Sequence, residues 1–188
     1  MKRLAVFASG NGTNFQAIVS KIKEGKLKVE LPLLIVDKKE AYALQRAKEA
    51  AIDAYFINPK EYASKEEYEE EILKLLVKYK IDFIALAGYM RLIGDVLLKA
   101  YEGRIVNIHP SLLPAFKGKN AIEQAFEYGV KVMGVSIHYV DKGMDTGRII
   151  AQDSFHVMPL DTIEDVEASI HAIEHRLYPE VLRNLLED

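Results

Sequence analysis

An amide and an imidazole stand two residues apart in the segment RIVNIHPSLLP, where Asn107 and His109 end an apolar run. The alternation of a β-strand turns both side chains to the same face, so they can act on the same atom. A lone histidine after a strand is more often a structural residue held by hydrogen bonds. Two neighbours favour a functional interpretation here. Asn107 lies beside His109, and Pro110 restricts His109 to an extended backbone.

The segment DKGMDTGR offers two carboxylates, Asp141 and Asp145, as acid-base partners for this histidine. A carboxylate close to His109 favours the imidazolium form. The residues alone leave an alternative open, because aspartates among glycines more commonly shape a hairpin loop.

A glycine-rich turn, SGNGTNFQAI, lies between the first predicted strand and the first predicted helix. Backbone N–H groups at the start of a helix form a site for a phosphate. Phe15 stands where a dinucleotide fingerprint has its third glycine, and no Gly-Lys-Ser/Thr follows as in a P-loop. The alternative is a tight turn in which Thr13 or Asn14 caps the helix, and the loop alone favours neither interpretation.

Other catalytic chemistries find less support in the sequence. The chain has no cysteine, which excludes disulfides, thiol nucleophiles and zinc-thiolate sites. Ser111 follows His109 closely, but there is no G-x-S-x-G elbow to present it as a nucleophile. His171 and His175 share one helix face, but HAIEH lacks the glutamate that directly follows the first histidine in the zinc-protease motif. We therefore expect no metal site.

The elements that must position these residues alternate along the chain. Short apolar runs such as LAVFAS, PLLIVD, AYFIN, FIALAG and RIVNI are each followed by a helical pattern, including RLIGDVLLKAY at 91–101. This alternation predicts an α/β fold of Rossmann-like type, with a mostly parallel sheet and helices on both faces. VSIHYV and IIAQDSFHV leave no room for a crossover helix and predict an antiparallel hairpin at the sheet edge. We expect a solvated acidic face on the helix from Lys65 and a final helix over 162–186.

Length and composition bound the class of protein. The 188 residues, 49% of them hydrophobic, predict a single domain over 1–188. A formal net charge of -3 and the lack of a long basic run argue against nucleic-acid binding as the main function. Ser9 and Gly10 interrupt the first apolar run too early for a signal peptide, and no run approaches the ~20 residues of a membrane span. We therefore expect a cytoplasmic protein, either monomer or homodimer, with no membrane partner.

Together, the segments SGNGTN, AGYMR, NIHPSLLP, GVSIHYVDKGMDTG and EHRLYP resemble the phosphoribosylglycinamide formyltransferase family of purine synthesis. NIHPSLLP with H-x-V-x-x-G-x-D-x-G is specific for folate formyltransferases, and the other segments narrow the resemblance to this member. The resemblance implies transfer of a formyl group from 10-formyltetrahydrofolate, as co-substrate, to the amine of glycinamide ribonucleotide. It implies no metal.

The resemblance also implies roles for individual residues. Asn107 and protonated His109 would stabilise a tetrahedral oxyanion, and Asp145 would keep His109 charged. The implied ribonucleotide residues are Gly12, Thr13, Asn14 and Glu174. The implied folate residues are Lys65, Met90, Arg91, Leu92, Ile93, Asn107, Asp141, Lys142, Gly143, Met144 and Asp145. Lys65 stands where many relatives have arginine, and Arg148 replaces a common proline, so the sequence leaves their roles open.

Three other functions are weighed against this one. Methionyl-tRNA formyltransferase adds a basic C-terminal domain, for which we expect no counterpart in these 188 residues. Formyltetrahydrofolate hydrolase carries an extra N-terminal domain and usually has a second histidine where Pro110 stands. A non-catalytic nucleotide-binding module would explain SGNGTN, but not Asn107, His109 and Asp145 together.

Overall fold

The short apolar runs form the strands of one sheet. The computed structural model describes residues 1–187, which contain seven strands. The strands are β1 (Arg3–Ala8), β2 (Glu30–Val36), β3 (Asp53–Phe56), β4 (Phe83–Leu86), β5 (Ile105–His109), β6 (Val132–Tyr139) and β7 (Ile149–His156).

Amphipathic segments between the strands form six α-helices within residues 1–187, beside one short 3₁₀ turn at Pro59–Glu61. The helices are α1 (Thr13–Lys23), α2 (Ala43–Glu49), α3 (Lys65–Lys78), α4 (Asp95–Ala100), α5 (Ala121–Tyr128) and α6 (Ile163–Leu186). A reciprocal capping box between Thr162 and Asp165 begins α6, which contains Pro179 and continues to Leu186. None of the helices in the described residues is both long and apolar enough to cross a membrane.

The strands are ordered β3-β2-β1-β4-β5-β6-β7 across the sheet. The first five run parallel, whereas β6 is antiparallel to both β5 and β7. The mostly parallel sheet and its antiparallel edge hairpin are therefore confirmed. Because the carboxyl ends of parallel strands meet at one edge, the loops after β1, β4 and β5 gather there.

Two apolar layers cover the two faces of the sheet. One layer contains Phe15 and Ile18 of α1 with Tyr178 of α6. The other contains Ile72 of α3 and Leu97 of α4. Central strands that are buried on both sides explain the near-continuous apolar runs in the sequence.

The helix expected over 91–101 is wrong in its first turn, since α4 begins only at Asp95. The Met90 N–H donates to the Ser9 Oγ, and the Gly94 N–H donates to the Glu69 carboxylate. Side chains from other elements thus take the backbone donors, and residues 90–94 form a non-helical segment. The solvated acidic face expected for α3 is wrong at one residue, because Glu69 is only 3% exposed.

Candidate active site

A cleft of about 740 Å³ lies beyond the carboxyl ends of the parallel strands. Its walls are the glycine-rich loop after β1, the segment after β4, the end of β5, the loop between β6 and β7, and one face of α6. The three loops that the sequence places at this edge therefore meet in one cavity. Such a switch point is the usual ligand site of an open α/β sheet.

Asn107 and His109 both line this cleft from the last residues of β5. Val106 and Ile108 point to the opposite side and belong to the apolar layer under α1 and α6. His109 is buried, and its Nε2–H donates to the Phe116 carbonyl oxygen at 2.8 Å. The strand alternation thus presents an amide and an imidazole to one space, as the sequence predicts.

Asp145 reaches the same space from the loop between β6 and β7. Its Oδ2 lies 3.4 Å from the Nδ1 of His109 and accepts the Gly118 N–H at 2.9 Å. Its Oδ1 accepts from the Asn107 Nδ2 at 3.3 Å. The two nitrogens of His109 therefore face a carbonyl oxygen and a carboxylate, and an imidazolium can donate to both.

Opposing effects act on the ionisation of Asp145. Burial on its own would raise the pKa of this carboxyl. Hydrogen bonds from His138 and the Gly118 N–H, with the charges of His109 and His138, outweigh burial and lower the pKa below its ordinary value. The group is accordingly a carboxylate at neutral pH, as a partner of an imidazolium must be.

The loop that carries Asp145 folds back over the sheet. The Val140 N–H donates to the Ile105 carbonyl oxygen at the start of β5, whereas Asp145 contacts His109 at the end of that strand. Gly147 permits this course, since a Cβ there would lie 1.6 Å from the Tyr139 carbonyl oxygen. Asp145 itself has a left-handed backbone with φ of 53°, an uncommon conformation that clusters at functional sites.

The two candidate carboxylates of this loop have different positions. Asp141 accepts from the Gly143 N–H at 3.0 Å and from the Thr146 hydroxyl at 2.5 Å. These contacts shape the loop, which is the alternative that the sequence left open for both residues. Only Asp145 contacts His109.

His138 is a site residue that the sequence analysis did not single out. In the antiparallel register it lies opposite Asn107, and its Nε2 is 3.5 Å from the Oδ1 of Asp145. The signal was present, because His138 is the first residue of the H-x-V-x-x-G-x-D-x-G pattern that ends with the loop. Asp37 and Lys38, after β2, also line the cleft without having been predicted.

The glycine-rich loop is held firmly against α2. Arg46 donates to the Asn11 carbonyl oxygen at 2.8 Å and to its side-chain oxygen at 2.7 Å. Gly12 has φ of 77°, and a Cβ there would lie 2.7 Å from the Cβ of Ala43. The helix begins at Thr13 with no side-chain cap on its first N–H groups, so neither Thr13 nor Asn14 acts as the alternative cap. These N–H groups face the cleft end where an anion is favoured.

The opposite wall of the cleft is apolar. Met90, Leu92 and Met144 are 55%, 45% and 49% exposed, although most large apolar side chains of this fold are buried. Arg91 also lines the cleft, and its guanidinium lies 5.4 Å from the centre of the Tyr68 ring. Exposed apolar side chains in a concave site indicate a ligand with a largely apolar surface.

Two predicted folate residues lie beside the cleft and not in its wall. Lys142 is exposed and pairs with Asp95 at 3.1 Å. Lys65 begins α3 and lies next to Gly94, at the end of the apolar segment. The remaining predicted residues of both substrate groups line the cleft.

Glu174 and His171 close the cleft from α6. Glu174 is buried, and its Oε2 accepts from the His171 Nδ1–H at 2.9 Å. This hydrogen bond raises the pKa of His171, against the opposing effect of burial. The rings of His171 and His175 stack with centres 6.1 Å apart. Within residues 1–187 no group of three or more histidine, aspartate or glutamate side chains is arranged to hold a metal ion.

Comparison with known proteins identifies close relatives. The chain is 52% identical to phosphoribosylglycinamide formyltransferase of Bacillus subtilis (strain 168), over 99% of this chain and 95% of the relative. It is 36% identical to the human trifunctional purine biosynthetic protein adenosine-3, over 96% of this chain. That match spans only 18% of the human protein.

Solved structures give the same result for the fold. Phosphoribosylglycinamide formyltransferase from Bacillus halodurans superposes with a TM-score of 0.96 at 56% identity, over 100% of this chain and 96% of the other. Glycinamide ribonucleotide transformylase 1 from Geobacillus kaustophilus also gives a TM-score of 0.96, at 57% identity and 99% coverage of both chains.

The family model described as formyl transferase matches residues 2–182. The chain therefore belongs to the formyl transferase family.

Proposed function

We propose that this protein is a phosphoribosylglycinamide formyltransferase, which moves the formyl group of 10-formyltetrahydrofolate to the amine of glycinamide ribonucleotide. The convergence of Asn107, His109 and Asp145 in one cleft carries the proposal. Membership of the formyl transferase family and similarity to the Bacillus subtilis enzyme along nearly the whole chain support it.

The cleft offers suitable surroundings for both substrates. The glycine-rich loop, with Gly12, Thr13 and Asn14, would hold the phosphate of the ribonucleotide. Glu174 would accept hydrogen bonds from its ribose or glycinamide end. The wall from Met90 to Ile93 and the loop from Asp141 to Asp145 would hold the folate, with Lys65 beside it. These two groups of residues occupy different walls of one cavity, so the amine and the formyl group can meet between them.

The reaction needs a place for negative charge and a path for one proton. The amine nitrogen attacks the formyl carbon, and the carbonyl oxygen becomes an oxyanion in a tetrahedral intermediate. Asn107 and protonated His109 would each donate a hydrogen bond to this oxygen. For this, one ring N–H of His109 must leave its present acceptor, either the Phe116 carbonyl oxygen or the Asp145 carboxylate. The new C–N bond is kept, the bond to N10 of the folate breaks, and N10 takes the proton that the amine loses. Asp145 would hold the imidazolium in place during these steps.

The first test is formyl transfer from 10-formyltetrahydrofolate to glycinamide ribonucleotide, followed by folate absorbance. We expect turnover that needs the ribonucleotide and that falls by about 10²–10³ in His109→Ala, the usual cost of one oxyanion donor. Folate cleavage without the ribonucleotide would identify a hydrolase, and formylation of charged tRNA would identify the tRNA enzyme. Nucleotide binding with no turnover of any of these substrates would leave a non-catalytic module.

A further inference from the structure

The segment from Gly88 to Gly94, between β4 and α4, has no regular secondary structure, yet other elements hold it at several points. At its start, the Ser9 N–H donates to the Gly88 carbonyl oxygen at 3.1 Å. The Ser9 Oγ accepts the Met90 N–H at 2.8 Å. These contacts come from the end of β1 and fix only the first half of the segment.

Helix α3 holds the segment through two consecutive residues. The hydroxyls of Tyr68 and Tyr89 are 2.8 Å apart, and both side chains are buried. The next residue, Glu69, accepts the Gly94 N–H at 2.5 Å through Oε1 and the Leu97 N–H at 3.3 Å through Oε2. One turn of α3 thus contacts the segment at both ends of the stretch from Met90 to Ile93.

Burial of the Glu69 carboxylate has a physical cost that requires compensation. A buried carboxylate loses its water and is stable only where donors replace that water. The first turn of α4 supplies these donors, and its unpaired N–H groups favour a negative charge. Gly94 permits the approach, since a Cβ there would lie 2.9 Å from both carboxylate oxygens. The carboxylate and the glycine therefore fit one another closely.

We propose that Glu69 is a positioning residue for the folate end of the cleft. By holding Gly94 and the start of α4, it fixes the backbone of Met90 to Ile93, whose side chains form the apolar wall. Glu69 does not line the cleft, so it acts through this segment and not by contact with the ligand. The inference rests on the proposed function, because it takes that wall as the folate site.

Without this carboxylate, the Gly94 and Leu97 N–H groups lose their acceptors and the wall becomes mobile. A ligand that binds the wall must then order it, and its affinity falls. The glycine-rich loop has separate anchors, namely Arg46 and the bond from the Ala43 N–H to the Gly10 carbonyl oxygen. The effect is therefore confined to one substrate.

The test is a comparison of Glu69→Ala and Glu69→Gln with Glu70→Ala and Glu70→Gln. Glu70 is the next residue of α3 and is exposed, so its variants control for charge and helix propensity. We expect KM for 10-formyltetrahydrofolate to rise about tenfold or more in Glu69→Ala, the effect of losing hydrogen bonds to a charged acceptor. Glu69→Gln keeps one acceptor and should show a smaller rise. KM for the ribonucleotide and kcat should stay within about twofold of wild type. No residue that would contact the ribonucleotide or the reacting atoms is changed.

A purely structural role of Glu69 gives a different result. It would lower the Tm of the variants and leave both KM values of the folded protein unchanged, and that outcome would overturn the inference. Equal increases of both KM values would overturn it as well. If Glu69→Ala does not fold, the folate KM of Glu69→Gln decides in the same way. A wild-type chain with no formyl transfer would refute the proposed function, whereas an active wild type with unaffected Glu69 variants refutes only this inference.

Discussion

His138 lies directly opposite Asn107 in the pairing of β5 with β6, and its Nε2 is 3.3 Å from the Asn107 Nδ2. The other ring nitrogen, Nδ1, carries a proton, because it donates to the Tyr139 carbonyl oxygen at 2.7 Å. The Nε2 also lies 3.5 Å from the Asp145 Oδ1, so the ring contacts both the Asn107 amide and the carboxylate to which this amide donates. The His138 ring and the Asp145 carboxylate together orient the Asn107 amide, whose Nδ2 faces both of them.

Replacement of His138 tests this orientation. We expect His138→Phe to lower kcat by about tenfold, the value of one hydrogen bond, with little change in either KM. The ring volume is kept, so the packing between the strands should persist. His156→Phe is the matched control, because His156 is exposed on β7, away from the cleft. Steady-state kinetics on both variants makes the comparison, and an unchanged kcat in His138→Phe would show that Asn107 is held by other contacts.

The charge of Asp145 is tested by Asp145→Asn. Asparagine has nearly the same volume and tolerates the left-handed backbone found at this position. We expect kcat to fall by about 10²–10⁴, the usual range for loss of acid-base assistance. Glu127→Gln makes the same change of acid to amide on an exposed residue of α5 and should keep full activity. Activity of Asp145→Asn close to wild type would exclude a role for the carboxylate.

The lowered pKa of Asp145 also predicts a pH dependence of stability. A carboxyl whose folded pKa is depressed stabilises the fold above its unfolded pKa of about 3.9. This contribution is lost as the pH falls through the lower folded value. Urea unfolding should therefore give the full difference in unfolding free energy between wild type and Asp145→Asn at about pH 5. The difference should shrink only below about pH 4, and an earlier loss would assign it to another group.

Gly12 provides a test of the phosphate end. Gly12→Ala combines a left-handed backbone with a contact of 2.7 Å to the Ala43 Cβ, so the loop must move away from α2. We expect KM for the ribonucleotide to rise about tenfold or more, as a displaced loop loses part of its anion contacts. Gly103→Ala has a similar φ of 66° but nothing within 4 Å of the added carbon. Gly103→Ala should lower the Tm slightly and leave KM for the ribonucleotide unchanged. The comparison separates the effect of a displaced loop from that of backbone strain.

Tyr178 tests the support beneath the cleft. It is fully buried, and its hydroxyl donates to the carbonyl oxygens of Leu86 at 2.8 Å and Val106 at 3.2 Å. Tyr178→Phe leaves these buried acceptors without that donor, and we expect unfolding free energy to fall by about 1–3 kcal/mol. For a chain of this size the Tm should drop by about 2–4 °C per kcal/mol. Tyr128→Phe, at an exposed tyrosine, should change neither quantity in calorimetry.

Much of the fold follows from local patterns. Strand alternation correctly puts Asn107 and His109 on one face, and the lack of a crossover after β6 correctly predicts the antiparallel edge. The first turn expected for α4 was wrong because Ser9 and Glu69, from distant elements, bind its backbone donors. Periodicity reports only which side chains are apolar, and it contains no information on such long-range contacts.

The candidate site was predictable to different degrees in its strands and its loops. Strand geometry relates Asn107 to His109, and the antiparallel register would have related His138 to them. The choice between Asp141 and Asp145 depends on how a loop folds back, which spacing along the chain does not determine. The same limit applies to Lys65 and Lys142, which lie beside the cleft because of packing around Gly94 and Asp95.

Hydrogen bonds and the chain itself join His109, Phe116, Gly118 and Asp145 into a closed ring. His109 donates to Phe116, and Gly118, two residues on, donates to Asp145, which faces His109 again. Three separate segments are therefore ordered together when the protein folds, before any substrate arrives. The site is preorganised apart from the one His109 hydrogen bond that must change its acceptor, so most of the binding energy of the substrates remains available for the reaction.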